Sequence, residues 1–301
     1  MKVTINEKSI ELFGCLSSIT RIKIIELLSK KPRNISELSD LLGVSSAIVT
    51  RHISLMEKVG LITTENLPGK RGLQKICSLK EKEINLIIEN AAKPEHSQKV
   101  SIPVGQYVAY DVHPVCGLVS KTGPIGLHDD PRYFSDPKHV DAALIWFQHG
   151  WVEYRIPSYV ITKRALRSIG ISLEMCSEYP KYNENWPSDI HFYLNGVLLG
   201  VWTSPGDFGE KKGLYTPEWW KGRTEYGLHK TITVTNEGTM LDGTHLSDVK
   251  IKDLDIAHGK DIFFRIHVPQ DAYHCGGINI FGKGFGNYDQ DIEVIVEYDE
   301  D

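Results

Sequence analysis

The chain has 301 residues, 41% of them hydrophobic, with 34 Lys+Arg against 39 Asp+Glu for a net charge of −5. No run of about twenty apolar residues occurs and residues 1–10 lack an apolar signal core, which excludes a spanning helix and a secretory signal and points to the cytoplasm. The five cysteines are scattered without a CxxC pair, which fits a reducing compartment and not a disulfide framework.

From the start of the chain, residues 7–16 read as a helix with Ile10, Phe13 and Leu16 as its apolar positions. Residues 21–28 (RIKIIELL) carry Ile22, Ile25 and Leu28 on one face. Asn34 followed by Glu37 is a capping box for a short helix that Gly43 ends, and Val44-Ser45 makes a tight turn. In residues 44–62, Val49, Ile53 and Met56 fall at helical spacing, while Ser46, Thr50, Arg51 and Ser54 lie on the opposite side. A helix that lies in a DNA major groove needs this division: an apolar stripe to hold it, and small or hydrogen-bonding residues that let it approach base edges. Gly60 closes the helix, and Leu61-Ile62 begin a strand. A hairpin follows with residues 67–72 at its tip and a second strand near residues 74–79. Residues 80–90, with Ile84, Ile87 and Ile88, read as another helix.

This order of elements resembles the winged helix-turn-helix of the ArsR family of bacterial transcriptional regulators, over residues 5 to about 90. The resemblance implies double-stranded operator DNA as partner, with Ser46, Thr50 and Arg51 on bases and Ala47 against a thymine methyl. Ser45, Ser54, Lys70 and Arg71 are then candidates for phosphate or groove contact, the last two from the wing. It also implies a homodimer, with helices 7–16 and 80–90 pairing so that two recognition helices stand about 34 Å apart. Family members that sense metals use cysteines on the helix before the recognition helix, or acidic and histidine ligands at the dimer helix. Residues 34–43 hold neither Cys nor His and residues 80–90 hold no His, so no metal is expected at those places. Charge agrees with one DNA-facing end: residues 1–90 carry 14 Lys+Arg against 10 Asp+Glu, and residues 91–301 carry 20 against 29.

Residues 1–92 are therefore read as the winged helix-turn-helix domain, and residues 93–101, polar and with one proline, as a linker; residues 102–301 form the second domain. All six tryptophans lie in that last part. Runs with alternation or β-branched and aromatic enrichment recur at 104–112, 143–147, 151–156, 171–176, 189–194, 197–203, 230–235, 261–268, 277–281 and 291–298. Turn pairs such as Asn195-Gly196 and Asp242-Gly243 punctuate them, and only residues 162–169 suggest a short helix. The fold class expected is multi-domain: an α+β winged helix-turn-helix, then an all-β sandwich of jelly-roll kind.

The hairpin 189–202 resembles the strand-Asn-Gly-strand hairpin of carbohydrate-binding modules and of glycosidase jelly rolls. The loops around it put Trp and Tyr beside acids, as recognition of a sugar requires. Trp186, Trp202, Asp207, Tyr215, Glu218, Trp219 and Trp220 are the candidate effector-binding residues. His113, Cys116, His128, Asp129, Asp130, His274 and Cys275 are metal-type ligands without zinc spacing, and Asp289 with Asp291 is a weak calcium candidate; neither a metal nor a cofactor is assigned. No nucleophile-elbow, phosphate-loop or dinucleotide motif accompanies a strand-to-helix turn, so no catalysis is expected. The reading is a cytoplasmic, homodimeric DNA-binding regulator, with repression the expected sign, whose β domain senses a small organic effector of sugar type. The alternative is constitutive DNA binding, with the β domain serving oligomerisation or protein contact.

Overall fold

A computed structural model describes residues 1–69, 72–81, 84–87 and 96–299. The chain divides into two units, Met1–Lys93 and Pro94–Asp301.

The first unit contains α1 (Ile10–Leu16), α2 (Ile19–Lys30), α3 (Ile35–Leu42) and α4 (Ser46–Lys58), with the strands β1 (Lys2–Thr4), β2 (Arg33–Asn34), β3 (Ile62–Gly69), β4 (Gly72–Leu79) and β5 (Asn85–Ile87). The capping box forms: Asn34 Oδ1 accepts from Glu37 N at 2.8 Å and Glu37 Oε2 accepts from Asn34 N at 2.9 Å. α4 ends in a Schellman motif, with Leu61 N donating to Met56 O and Gly60 N to Glu57 O, both at 3.0 Å. That ending requires a left-handed residue after the helix, and Gly60 supplies it at φ 76°. Ile24, Leu28, Leu38, Val49, Ile53, Met56, Leu61, Ile62 and Cys77 form the core. On α2 the wholly buried residue is Ile24, one helical turn from Leu28, while Ile22 and Ile25 are half-buried.

Two expectations for this unit are corrected. Residues 80–90 do not form a helix over their described part: Asn85–Ile87 is β5, paired in parallel with β1 through Lys2↔Asn85 to Thr4↔Ile87. A short apolar run suits either element, and here pairing with the first strand decides for the extended state. The hairpin tip is also narrower than expected. Leu67 and Pro68 lie within β3, opposite Gln74 and Leu73, and the register closes at Gly69↔Gly72. Pro68 is tolerated because β3 is an edge strand with β4 as its partner.

The second unit holds β6 (Ser97–Ile102), β7 (Ala109–Ser120), β8 (Gly123–Ile125), β9 (Leu144–Ile156), β10 (Leu166–Cys176), β11 (Ser188–Leu194), β12 (Val197–Ser204), β13 (Leu228–Thr235), β14 (Thr239–Leu241), β15 (Thr244–Ser247), β16 (Ile262–Val268), β17 (Ile278–Phe281) and β18 (Ile292–Tyr298). Two antiparallel layers result: β12-β11-β16-β9-β7 and β6-β18-β10-β13-β14-β15. Strict alternation on β11, β16 and β18 sends Phe192, Phe264, Ile266, Val294 and Val296 into one shared core, the pattern of a sandwich.

β9 is one strand where the sequence suggested two. It pairs with β17 over Leu144 to Phe147 and with β16 from Gly150 onward. Gly150, at φ 106°, sits where the partner changes, and no side chain fits there: a Cβ would stand 1.9 Å from Asp111 O. The helix expected over 162–169 is absent. Leu166 begins β10, which is clasped on both sides by β13 and β18, and this pairing overrides a weak amphipathic pattern. Ser97–Ile102, within the stretch read as a linker, is a strand on β18.

Around β17 the sandwich is buried on both faces. Ile145, Phe147, Met175 and Ile280 face the main core, while their neighbours Leu144, Trp146, Cys176 and Phe281 face outward. Over that outer face lie Trp220, Phe285 and Phe208, making a second, smaller core.

Candidate functional site

On the first unit the candidate nucleic-acid interface is the outward side of α4. Ser45 caps the helix, its Oγ accepting from Ile48 N at 3.4 Å. Ser45, Ser46, Ala47, Thr50, Arg51 and Ser54 are exposed, whereas Val49, Ile53 and Met56 on the other side are wholly buried. Thr50 Oγ1 donates to Ser46 O at 2.8 Å, and Ser46 Oγ donates to Ser39 Oγ at 3.4 Å, which ties the recognition face to α3. The Arg21 guanidinium donates to Cys15 O at 2.5 Å and Gly14 O at 2.8 Å and meets His52 Nδ1 at 3.4 Å, joining α1, α2 and α4. His52 is held below the usual histidine range by burial first, then by Arg21 and Arg51, so it stays neutral and the positive charge of this part of α4 is that of Arg51. Lys70 and Arg71, the wing cations, lie outside the described residues.

On the second unit the candidate site is a cleft of about 130 Å³ lined by Val115, His128, Asp129, Trp146, Glu178, Tyr179, Pro180, Lys181, Trp220, Arg223 and Thr224. Drug-sized ligands occupy pockets of about 300 Å³ or more, so this one suits a single small ring. Its rings are close: Trp146 and Trp220 centroids stand 5.5 Å apart, and His128 meets Trp146 edge-on at 5.2 Å. Trp220 Nε1 donates to Thr224 O at 2.8 Å, and the Arg223 guanidinium sits 4.7 Å from the Trp220 ring centre, within cation–π range.

Acids stand at the floor of the cleft and behind it. Glu178 Oε2 accepts from Asn279 Nδ2 at 2.6 Å, while Oε1 has no partner among the described residues. Burial, then the charge of Asp207, pushes the Glu178 carboxyl well above the usual carboxylate range. Asp207 Oδ2 accepts from Tyr179 N at 2.9 Å and from the Thr224 hydroxyl at 3.0 Å, and its Oδ1 is buried without a partner. Burial raises Asp207 to about 7. A buried, unpaired carboxyl oxygen is costly as an anion and tolerable on a protonated acid. Asp129 Oδ1 accepts from Cys116 N at 3.0 Å.

A third buried acid holds the covering loops. Glu174, on the outward side of β10, accepts backbone N–H groups from Gly227 at 2.8 Å, Asn287 at 2.8 Å and Tyr288 at 2.9 Å. Gly286 must be glycine for this: a Cβ there would lie 2.3 Å from Glu174 Oε1. Burial nonetheless lifts the Glu174 carboxyl to about 7.

Of the seven aromatic and acidic residues expected from sequence, only Trp220 lines the cleft. Asp207 lies behind its wall through Tyr179 and Thr224, and Trp186 packs on Tyr179 at 4.9 Å with its Nε1 buried and unpartnered. The other four stand elsewhere. Trp202 packs on the main core with Lys230 Nζ 5.1 Å from its ring centre, and Tyr215 N donates to Gly286 O. Glu218 is exposed and pairs with Lys212, and Trp219 is 41% exposed with its Nε1 on Lys121 O. Spacing alone could not find Trp146, Glu178 or Arg223, which come from separate strands and loops. One signal was present: Glu174 and Glu178 sit in or beside an apolar strand, where a carboxylate needs a reason. The histidines expected as metal-type ligands do not converge; among the described residues no group of three or more His, Cys, Asp or Glu is placed to hold a metal ion. Among those residues, too, no helix is long and apolar enough to cross a membrane.

Residues 18–64 match the family described as bacterial regulatory protein, arsR family. That stretch runs from the start of α2 into β3, so the first unit carries an ArsR-type helix-turn-helix, a DNA-binding module of transcription regulation. An ArsR family transcriptional regulator of known structure is similar at 26% identity and a TM-score of 0.22, covering 25% of this chain and 79% of its own. The CBM36-1 domain of a multidomain xylanase from the hindgut metagenome of Trinervitermes trinervoides is similar at 8% identity and a TM-score of 0.30, covering 68% of this chain and 100% of its own. A CBM36 carbohydrate-binding module in complex with calcium and xylotriose is similar at 10% identity and a TM-score of 0.27, covering 66% and 97%. These likenesses are distant, and the sandwich rests on its own strand pairing. No curated protein matches the chain.

Proposed function

We propose that this chain is an effector-responsive transcriptional regulator that binds operator DNA through α4 as a homodimer in the cytoplasm, with repression as its basal action. The observation that carries the DNA reading is the division of α4 into a wholly buried apolar side and an exposed side on which small, hydroxyl and cationic residues stand with Ile48 and Leu55 at its margin, within the matched helix-turn-helix. Dimerisation is supported by the apolar residues that α1 and α2 leave outside their own core, Ile10 at 62% exposure and Ile19 at 71%. The β unit is read as the sensor because its cleft combines two indoles, a buried acid with one open oxygen and a cation within one small volume. A ligand there shifts DNA affinity only through different affinity for two states of the protein; about 1–3 kcal/mol of coupling corresponds to roughly a 5- to 150-fold change.

The test is selection of duplexes from a random pool by the full chain, then titration of the winning sequence by fluorescence anisotropy. Arg51→Ala should weaken that sequence by about 1–3 kcal/mol while changing binding to unrelated duplexes far less. Equal loss on every duplex would assign Arg51 to phosphate, and failure to enrich any sequence would sink the regulator reading. A DNA affinity that no cleft-binding ligand alters would favour constitutive binding, with the β unit serving assembly.

A further inference from the structure

Two cations line the cleft without an acid beside them. Among the described residues, neither Arg223 nor Lys181 has a carboxylate partner; both are exposed, and other exposed cations of the unit, such as Arg155 and Lys252, share this, whereas Arg265–Glu153 and Lys230–Asp242 are paired. Arg223 is held over the Trp220 ring, so its position is fixed by stacking and its N–H groups are left to a ligand. Lys181 has φ 80°, a left-handed backbone; among the described residues the other four non-glycine positions with positive φ are Asn or Asp, the types that tolerate it. One of those four, Asp129 at φ 61°, also lines the cleft. Among the described residues no ion pair joins the acids of the site to the two cations: Glu178 is hydrogen-bonded to Asn279, Asp129 to the backbone of Cys116, and Asp207 lies behind the wall, while the charge of Arg223 still reaches Glu178. One cleft therefore holds two open cations, a carboxyl oxygen without a partner and the edges of two indoles that are only 5% and 4% exposed.

A neutral sugar ring would use the indole and the carboxyl and leave both cations unanswered. A simple aliphatic acid would answer the cations and leave Glu178 Oε1 without a partner. A ring bearing both hydroxyls and a carboxylate satisfies all three.

We propose that the cleft binds a single hexuronate: its carboxylate on Arg223 and Lys181, its hydroxyls on Glu178 and Asp129, and one C–H face against Trp146 and Trp220. This rests on the reading of the β unit as the effector-binding part of a regulator. The volume of about 130 Å³ suits one ring, so the ligand proposed is a monosaccharide of the kind released by depolymerising an acidic polysaccharide. A specificity built on charge-assisted hydrogen bonds to a carboxylate separates the acid from the matching neutral sugar by about ten- to a hundredfold.

The experiment follows tryptophan fluorescence of the full chain, since Trp146 and Trp220 line the site, with calorimetry as the second readout. The probes are D-galacturonate and D-glucuronate, their neutral counterparts galactose and glucose, and acetate and propionate as plain carboxylates. The expected result is saturable binding of a uronate, with the neutral hexose at least about ten times weaker and the plain acids without effect. Arg223→Gln, at an exposed position and with its fold checked by circular dichroism, should bring the uronate down to the level of the neutral sugar. Glu178→Gln should weaken acid and neutral sugar alike. Equal binding of acid and neutral hexose, binding of acetate as tight as that of the uronate, uronate binding indifferent to Arg223→Gln, or no binding of any probe would each overturn the proposal. The sensor reading fails separately. A uronate bound through Arg223 that leaves DNA affinity unchanged keeps the site and removes the sensing, whereas a neutral sugar that shifts DNA affinity keeps the sensing and removes the uronate.

Discussion

The two candidate sites are made in opposite ways. The candidate DNA-facing side of α4 comes from thirteen consecutive residues between a serine cap and a glycine stop, and its geometry is that of one helix. The cleft draws on residues from Val115 to Thr224, brought together by strands and held by loops that three buried acids organise. A local site tolerates damage at a distance and is sensitive to its caps; a site gathered from afar is sensitive to the groups that pin its loops. Three substitutions sharpen or break that contrast.

The largest effect is expected at Glu174. Replacing it by Ala leaves the N–H groups of Gly227, Asn287 and Tyr288 without their acceptor, which should cost about 3–5 kcal/mol. For a unit of this size that lowers Tm by roughly 6–20 °C in calorimetry, at about 2–4 °C per kcal/mol. A fall of only a degree or two would mean that the loops are held by Trp220 and Phe285 packing and not by the carboxylate.

Asp207 comes next and acts through pH. Its folded-state value is raised to about 7, while an unfolded aspartate ionises near 4, so between those values the native chain holds more protons. The stability it contributes is fully present below about pH 4 and is lost as pH rises through 7, an effect of roughly 2–4 kcal/mol. Glu174, also raised to about 7, acts with the same sign. Asp207→Asn should flatten part of the decline in Tm between pH 5 and pH 8. An unchanged slope would mean that Asp207 is ionised in the native protein.

The smallest effect belongs to the unit that carries the local site, at the cap of the helix before α4. Asn34→Ala removes the acceptor for Glu37 N at the start of α3 and should cost about 1 kcal/mol, within 0.5–2, read from urea unfolding. A cost several times larger would show that the first unit depends on non-local pins as the second does, and the contrast would fall.

The same contrast explains which features are legible in the sequence. α3, α4 and their caps follow from spacing within a dozen residues, and so do β11, β16 and β18, whose alternation is strict. The failures lie where long-range pairing decides. Residues 85–87 join the first strand, residues 166–169 are clasped between β13 and β18, and β6 finds its partner at the far end of the unit. The cleft is legible only as an aromatic-rich region. Trp220 and Asp207 can be suspected there, but Trp146 reads as an ordinary core residue of a strand, and its outward direction depends on burial of β9 on both faces. The pairing of Arg223 with Trp220 rather than with an acid has no signature in spacing at all.

The pairing of β6 with β18 has a consequence for how the protein is made. About 190 residues separate Ile102 from Ile292, so the second sheet cannot close until nearly the whole unit has left the ribosome. At roughly 5–20 residues per second the helix-turn-helix precedes that moment by about 10–40 s. Newly made chains therefore pass through an interval in which the helix-turn-helix unit can be folded while the cleft of the second unit does not yet exist.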